Sequence, residues 1–211
     1  MSDDRGAHIN PVLWALARGI LGPIFWLLFR LRTIGIENIP ERGPTLFVAN
    51  HMSMWDPPMI GQALVSRRRV YFMAKSELFR VPVLGWAIRR LGAFPVERGS
   101  ADRTAIRTAR EVLERGDALL MFPEGTRYTD GELGEAWPGA GSLALADGVV
   151  VVPVAIEGSN RRIGPVRVAV GEPLDLSDLP DRSRGERSQL AADRMMAAIG
   201  ALRAPNEGER V

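Results

Sequence analysis

The chain has 211 residues, 46% of them hydrophobic and 25% charged, which is the composition of one ordinary folded domain. It contains no cysteine and only two histidines, His8 and His51, so disulfide scaffolds, thiol nucleophiles, iron–sulfur clusters, cysteine-ligated zinc and any three-histidine metal site are excluded. The 27 basic residues exceed the 25 acidic ones by a net charge of only +2, too little for a general nucleic-acid binder.

Residues 12–31 (VLWALARGILGPIFWLLFRL) form the most apolar stretch. Arg18 and Arg30 bracket an uncharged run of 11 residues, interrupted by Gly22 and Pro23, whereas a spanning helix needs about 20 apolar residues. The pattern therefore predicts a bent or two-piece helix lying in a membrane interface, with Trp14 and Trp26 at headgroup depth and arginines reaching toward phosphates. The competing reading is a helix packed on the protein's own core. A secretory signal does not fit, because Asp3 and Asp4 spoil a basic start and no small-residue cleavage site follows.

Beyond this segment, short apolar or β-branched runs alternate with helical patterns. Strands are expected at Thr45–Ala49, Val70–Ala74, Ala93–Val96, Ala118–Phe122, Val149–Ile156 and Val166–Val170. Several are apolar without alternation, as in a sheet covered on both faces by helices. Pro82 opens a helix with Val83, Leu84, Ala87, Ile88 and Leu91 on one side, and Ser100 is the expected N-cap of a helix over 101–115. Further helices are expected over 139–147 and 185–203. The chain divides into an N-terminal interfacial helical segment (1–33), one α/β domain (34–203) and a flexible tail (204–211).

Two loops that follow strands carry the chemistry. After Thr45–Ala49 comes Asn50-His51-Met52-Ser53-Met54-Trp55-Asp56-Pro57. His51 is a proton acceptor near neutral pH, and a turn brings Asp56 to its other ring nitrogen, making a general-base dyad. After Ala118–Phe122 comes Pro123-Glu124-Gly125-Thr126-Arg127, in which glycine admits close approach of a ligand and Arg127 offers a planar fork for phosphate. In this reading Glu124 orients Arg127 or accepts from a substrate hydroxyl. Lys75, the only lysine, and Arg98 also end strands, so neighbouring strands would gather them with His51 and Arg127 in an electropositive pocket. Each segment alone has a plainer explanation, as a capping histidine, a surface ion pair or a solvated charge.

Together the segments resemble the glycerolipid acyltransferase family, the bacterial 1-acyl-glycerol-3-phosphate acyltransferases and their relatives, over roughly residues 34–173. NHMSMWDP resembles that family's His-x-x-x-x-Asp box, and LGAFPVERG is similar to a second block ending in a substrate-contacting arginine, here Arg98. FPEGTR resembles the third, in which the Glu124–Gly125–Thr126–Arg127 run helps hold the acceptor's phosphate. VVVVPVAI is similar to the fourth, with Pro153 near the acyl site. Tyr128 departs from the serine frequent after the arginine, which bears on substrate choice within the class.

The resemblance implies a single α/β domain with a mixed, mostly parallel sheet flanked by helices. It also implies acyl transfer from acyl-CoA or acyl carrier protein to a hydroxyl of a lysophosphatidic-acid-like glycerolipid phosphate. His51 and Asp56 would be catalytic; Lys75, Arg98, Glu124, Gly125, Thr126 and Arg127 would bind substrate. Transfer is expected to be direct, without an acyl-enzyme, and with no metal or bound cofactor. The expected partners are the acyl donor, the lipid acceptor and a membrane surface, with no nucleic acid, and the expected location is the cytoplasmic face of the cell membrane as a peripheral or monotopic protein. A non-catalytic lipid-binding module and a thioesterase remain as alternatives.

Overall fold

In the computed structural model, which describes residues 8–97 and 102–203, seven strands form one sheet in the order β1-β7-β6-β2-β5-β3-β4. The strands are β1 (Arg32–Ile34), β2 (Thr45–Ala49), β3 (Tyr71–Lys75), β4 (Ala93–Val96), β5 (Ala118–Met121), β6 (Val150–Glu157) and β7 (Arg167–Val170). All neighbours run parallel except β6 and β7. The sheet is thus mixed and mostly parallel, as its unbroken apolar runs imply. β1 was not anticipated, because three residues with two exposed positions carry no apolar signal.

Six helices accompany the strands: α1 (Pro11–Phe29), α2 (Asp56–Leu64), α3 (Pro82–Arg90), α4 (Arg103–Glu114), α5 (Pro138–Ala144) and α6 (Arg184–Leu202). Strand side chains alternate between two cores. Leu46, Val48, Leu119 and Met121 face α4, α5 and α6, while Phe47, Ala49, Ala118 and Leu120 face α1 and α2. On the first face Gly141 lets α5 approach α6 closely, since a Cβ there would fall 1.7 Å from the Ser188 carbonyl oxygen.

Pro153 sits inside β6, where a missing N–H would ordinarily break a ladder. It is tolerated because β7 pairs only from Val154 onward, and beyond that point the Gly171 N–H donates to the Pro153 carbonyl at 2.9 Å.

Three expectations are corrected. The N-terminal segment is one continuous 19-residue helix rather than two pieces: Asn10 caps it, Arg30 ends it in the left-handed region, and Pro23 removes one donor without terminating it. Trp14 is not outward; it is buried and its indole N–H donates to the Leu91 carbonyl at 2.9 Å. The expected cap at Ser100 lies outside the described residues, and α4 is capped by Asp102, whose Oδ1 accepts from the Thr104 and Ala105 N–H groups. The helix expected from Pro82 is present as α3, and its apolar side stays outside the core. Only Gly85 of this helix is buried, against the Phe79 backbone, whereas Val83 is 81% exposed and Trp86 is 53% exposed.

α2 was not anticipated either. Its opening Asp56-Pro57-Pro58 reads as a helix breaker, yet prolines in a first turn remove only N–H groups that have no intrahelical acceptor.

Candidate active site

β2 is flanked by β5 on one side and β6 on the other, so the chain crosses over it between β5 and β6. In parallel sheets, the crevice at the carboxyl ends of such strands is where ligands bind. The loop after β2 and the loop after β5 both leave this edge, which brings His51 beside Phe122 and Glu124 although they lie over seventy positions apart.

Asn50 anchors the first loop. Its side chain is buried and bonds both ways to the Ile156 backbone, donating to the carbonyl and accepting from the N–H at 2.9 Å each. The chain then turns, and Asp56 Oδ2 accepts from the backbone N–H groups of Met52 and Ser53 at 2.6 and 2.7 Å while lying 2.8 Å from His51 Nδ1. An oxygen committed as an acceptor to two N–H groups assigns the ring hydrogen to Nδ1, which makes Nε2 the basic nitrogen of the neutral imidazole. His51 is 3% exposed, and its imidazole stacks on Phe122 with centroids 4.1 Å apart. Asp56 is fully buried at the start of α2, and its Oδ1 has no hydrogen-bond partner among the described residues.

Glu124 has a different place from the one expected. It is buried and makes no ion pair with Arg127 among the described residues; instead Oε2 accepts from the His51 N–H at 2.7 Å and Oε1 from the Gly134 N–H at 3.1 Å. Glu124 therefore clamps the histidine loop from behind. The Tyr128 N–H adds a second tie, donating to the His51 carbonyl at 2.8 Å. Burial pushes the Glu124 carboxyl above its usual range, and the nearby Asp56 charge acts in the same direction, against the two backbone N–H bonds that favour the ionised form.

His51 lines a cleft of about 490 Å³ whose walls are largely apolar, formed by Met121, Phe122, Ile106 and Trp137. Gly125 also lines it at φ +65°, and a Cβ there would press on the Trp137 indole at 3.3 Å. Glu97, Asp102 and Arg103 supply its charged portion. Phe122 opens the FPEGTR segment but has no role assigned from sequence, and Trp137, ten residues beyond Arg127, carries no sequence signal for the site.

The other expected site residues divide. Thr126 and Arg127 are exposed on the loop beside His51, and Arg127 makes no ion pair or hydrogen bond among the described residues and does not line the cleft. Lys75 stands at the same sheet edge, exposed and paired with Glu77 at 3.0 Å, also outside the cleft lining. Arg98 lies outside the described residues. Pro153 is not part of the lining. No group of three or more metal-ligating side chains occurs among the described residues.

A family profile described as Acyltransferase matches residues 30–157, which contain every one of these groups. The chain belongs to the acyltransferase family. Among curated relatives, a lyso-ornithine lipid O-acyltransferase of Pseudomonas aeruginosa is 39% identical over 195 residues, covering 88% of this chain and 70% of that protein. A 1-acyl-sn-glycerol-3-phosphate acyltransferase of Streptococcus pneumoniae is 35% identical, covering 79% and 63%. A chloroplastic enzyme of the same description from Arabidopsis thaliana is 30% identical over 87% of the chain, which spans 53% of its length. The chain thus spans about half to two thirds of several relatives it matches. The crystal structure of the 1-acyl-sn-glycerophosphate acyltransferase PlsC from Thermotoga maritima superposes with a TM-score of 0.68 at 28% identity, over 91% of this acyltransferase-family chain and 81% of that one.

Proposed function

We propose that this chain transfers a fatty acyl group from an acyl-thioester, acyl-CoA or acyl carrier protein, to the free hydroxyl of a lysophosphatidic-acid-like glycerolipid phosphate. The observation that carries this reading is the His51–Asp56 dyad, 2.8 Å apart and buried at the wall of an apolar cleft. The relatives named as 1-acyl-sn-glycerol-3-phosphate acyltransferases support the class.

A lipid hydroxyl is a poor nucleophile. His51 Nε2 takes its proton as the oxygen attacks the thioester carbonyl carbon, a general-base contribution of about 10²–10⁴ in rate. Asp56 holds the ring and stabilises the imidazolium. The tetrahedral adduct then expels the thiolate, breaking the C–S bond, and the imidazolium returns the proton to sulfur. His51 and Asp56 end as they began, and no covalent acyl-enzyme forms. Arg127, exposed beside the histidine loop, is the proposed contact for the acceptor's phosphate, with Lys75, Arg98, Gly125 and Thr126 contributing to the same edge. Glu124 serves as a positioning residue through the His51 backbone.

The lipid acceptor gives α1 a role. Its Leu16, Ile20, Trp26 and Leu27 are all more than half exposed, while Phe25 and Phe29 pack inward. The helix is long and apolar enough to cross a membrane; with Arg18 inside it and Phe25 and Phe29 packed inward, our reading is that it docks in the interface with arginines toward headgroups, at the cytoplasmic face. Val83 and Trp86 of α3 extend this surface, since Asn10, next to α1, donates its backbone N–H to the Arg90 carbonyl.

A second acceptor is favoured by a specific observation. Glu97 and Asp102 line the cleft and Arg127 does not, and the 39% identical relative acts on a lyso-ornithine lipid. An ornithine headgroup offers an ammonium for carboxylates to meet.

The deciding experiment supplies one labelled acyl-thioester with a panel of lyso-acceptors, read by mass spectrometry. Acylated lysophosphatidic acid that disappears in His51→Ala, with folding retained, is expected. Acylation of the ornithine lipid alone would establish the second reading. Thioester loss without acceptor would make the protein a thioesterase, and no transfer to any acceptor would leave a lipid-binding module.

A further inference from the structure

A second concavity, larger than the cleft beside His51, lies at the opposite edge of the sheet. It has a volume of about 790 Å³ and opens where β2, β5 and β6 begin, beside Pro44, Gly116 and Val149. From Pro44 to His51 the chain advances seven residues, about 23 Å at roughly 3.3 Å per residue in a strand, so this cleft is separate from the site described above.

Its chemistry is unusual for a surface depression. Arg110, Arg182, Arg184 and Arg187 converge on it from α4, from α6 and from the turn before α6, against two carboxylates, Glu114 and Asp147. Among the described residues, only Arg182 of these four makes an ion pair, with Glu186 at 3.6 Å. The guanidinium groups of Arg110, Arg184 and Arg187 have no salt bridge or hydrogen bond among the described residues, although acidic side chains line the same space. Two of them go further: the Nε atoms of Arg110 and Arg187 are buried with no acceptor. A buried donor without a partner costs about 1–3 kcal/mol, and here two such donors flank a cavity that admits a ligand.

We propose that this cleft is an anion site for a phosphate-bearing small molecule taken from the aqueous phase. Guanidinium forks match phosphate oxygens bidentately, and a ligand with more than one negative charge satisfies several at once. The volume is that of a pocket for a molecule larger than a single phosphate. A water-borne rather than membrane-borne ligand follows from position: the cleft lies among α4, α5 and α6, on the sheet face opposite α1, whose exposed apolar side chains form the membrane surface of the proposed function.

The test is titration of the full chain with inorganic pyrophosphate, by isothermal calorimetry and by thermal shift. Expected are one site and a raised Tm, with Kd weakened at least about tenfold in Arg110→Gln/Arg187→Gln and unchanged in Arg127→Ala. Arg184→Gln, an exposed position that leaves the fold intact, is expected to weaken binding as well and keeps the test decisive if the double variant does not fold. An absence of pyrophosphate binding, or equal affinity in Arg184→Gln, overturns the proposal. So does loss of binding in Arg127→Ala, which would place the anion at the other edge. In a parallel arm, the variants are sedimented with phosphatidylglycerol vesicles. Unchanged vesicle binding is expected, and a loss there without loss of pyrophosphate binding would reassign the arginines to a lipid headgroup.

Discussion

Replacing Asp56 by asparagine isolates the charge of the dyad from its shape. In the native protein one oxygen, Oδ2, receives three contacts, from the Met52 and Ser53 N–H groups and from His51 Nδ1, while Oδ1 is buried with no partner among the described residues. An asparagine keeping its oxygen in the Oδ2 position can preserve all three, but its NH₂ then occupies the buried Oδ1 position with nothing to donate to. That costs about 1–3 kcal/mol of stability. Flipping the amide is worse, since NH₂ would face two backbone donors and the ring hydrogen. The geometry of His51 thus survives better than its chemistry: the imidazolium formed during proton abstraction no longer has a carboxylate beside it. We expect kcat to fall by about 10²–10⁴, equivalent to about 2.7–5.4 kcal/mol at 1.36 kcal/mol per decade. Single-turnover transfer of a labelled acyl group measures this, with circular dichroism confirming the fold. Residues acting as one unit are non-additive, so Asp56→Asn combined with His51→Ala should be no slower than His51→Ala alone. Activity of Asp56→Asn within about fivefold of the native rate, or a double variant in which the two losses multiply, would refute the dyad.

Three further outcomes are expected. Glu124→Gln places an amide nitrogen opposite the backbone N–H of either His51 or Gly134, and urea unfolding should show a loss of about 1–3 kcal/mol. Because the folded Glu124 binds its proton more tightly than the ordinary 4.5, the folded state holds a proton that the unfolded chain has released just above that pH. Native stability contributed by this group therefore falls as pH rises from 4.5 through the raised value, and the glutamine variant should lack that slope in urea titrations across the window. Arg127→Ala should raise the KM for a phosphate-bearing acceptor while leaving donor KM unchanged; equal acceptor kinetics would remove Arg127 from the phosphate role. Trp26→Ser with Leu27→Ser, at positions 72% and 70% exposed, should reduce cosedimentation with lipid vesicles without changing Tm. Undiminished sedimentation would move the anchor off α1.

Much of the architecture was readable along the chain. Thr45–Ala49 and Ala93–Val96 appear as expected, and the other apolar runs shift by one residue at one or both ends, because a strand buried on both faces must be apolar throughout and few other elements of that length are. With only two histidines, and His8 exposed near the chain's start, acid–base chemistry by imidazole pointed to His51, and the five-residue spacing to Asp56 is local enough for a turn to close. The N-terminal helix was legible as apolar but not as continuous, since Gly22 and Pro23 signal a break that neighbouring contacts of Phe25 and Phe29 override.

What the sequence determined by itself was therefore the set of local facts: which runs extend, which loops carry titratable groups, and which residue types were available for chemistry. The role of Glu124 was decided only in the folded chain, because its acceptors' partners, the His51 and Gly134 backbone N–H groups, carry no side-chain signature and one lies 73 positions away. The gathering of four arginines at the far edge has the same origin. A side chain's periodicity states which neighbours share its face, but whether that face meets a core, water or an empty cleft depends on what packs against it, and that is a property of the whole chain's burial rather than of any segment.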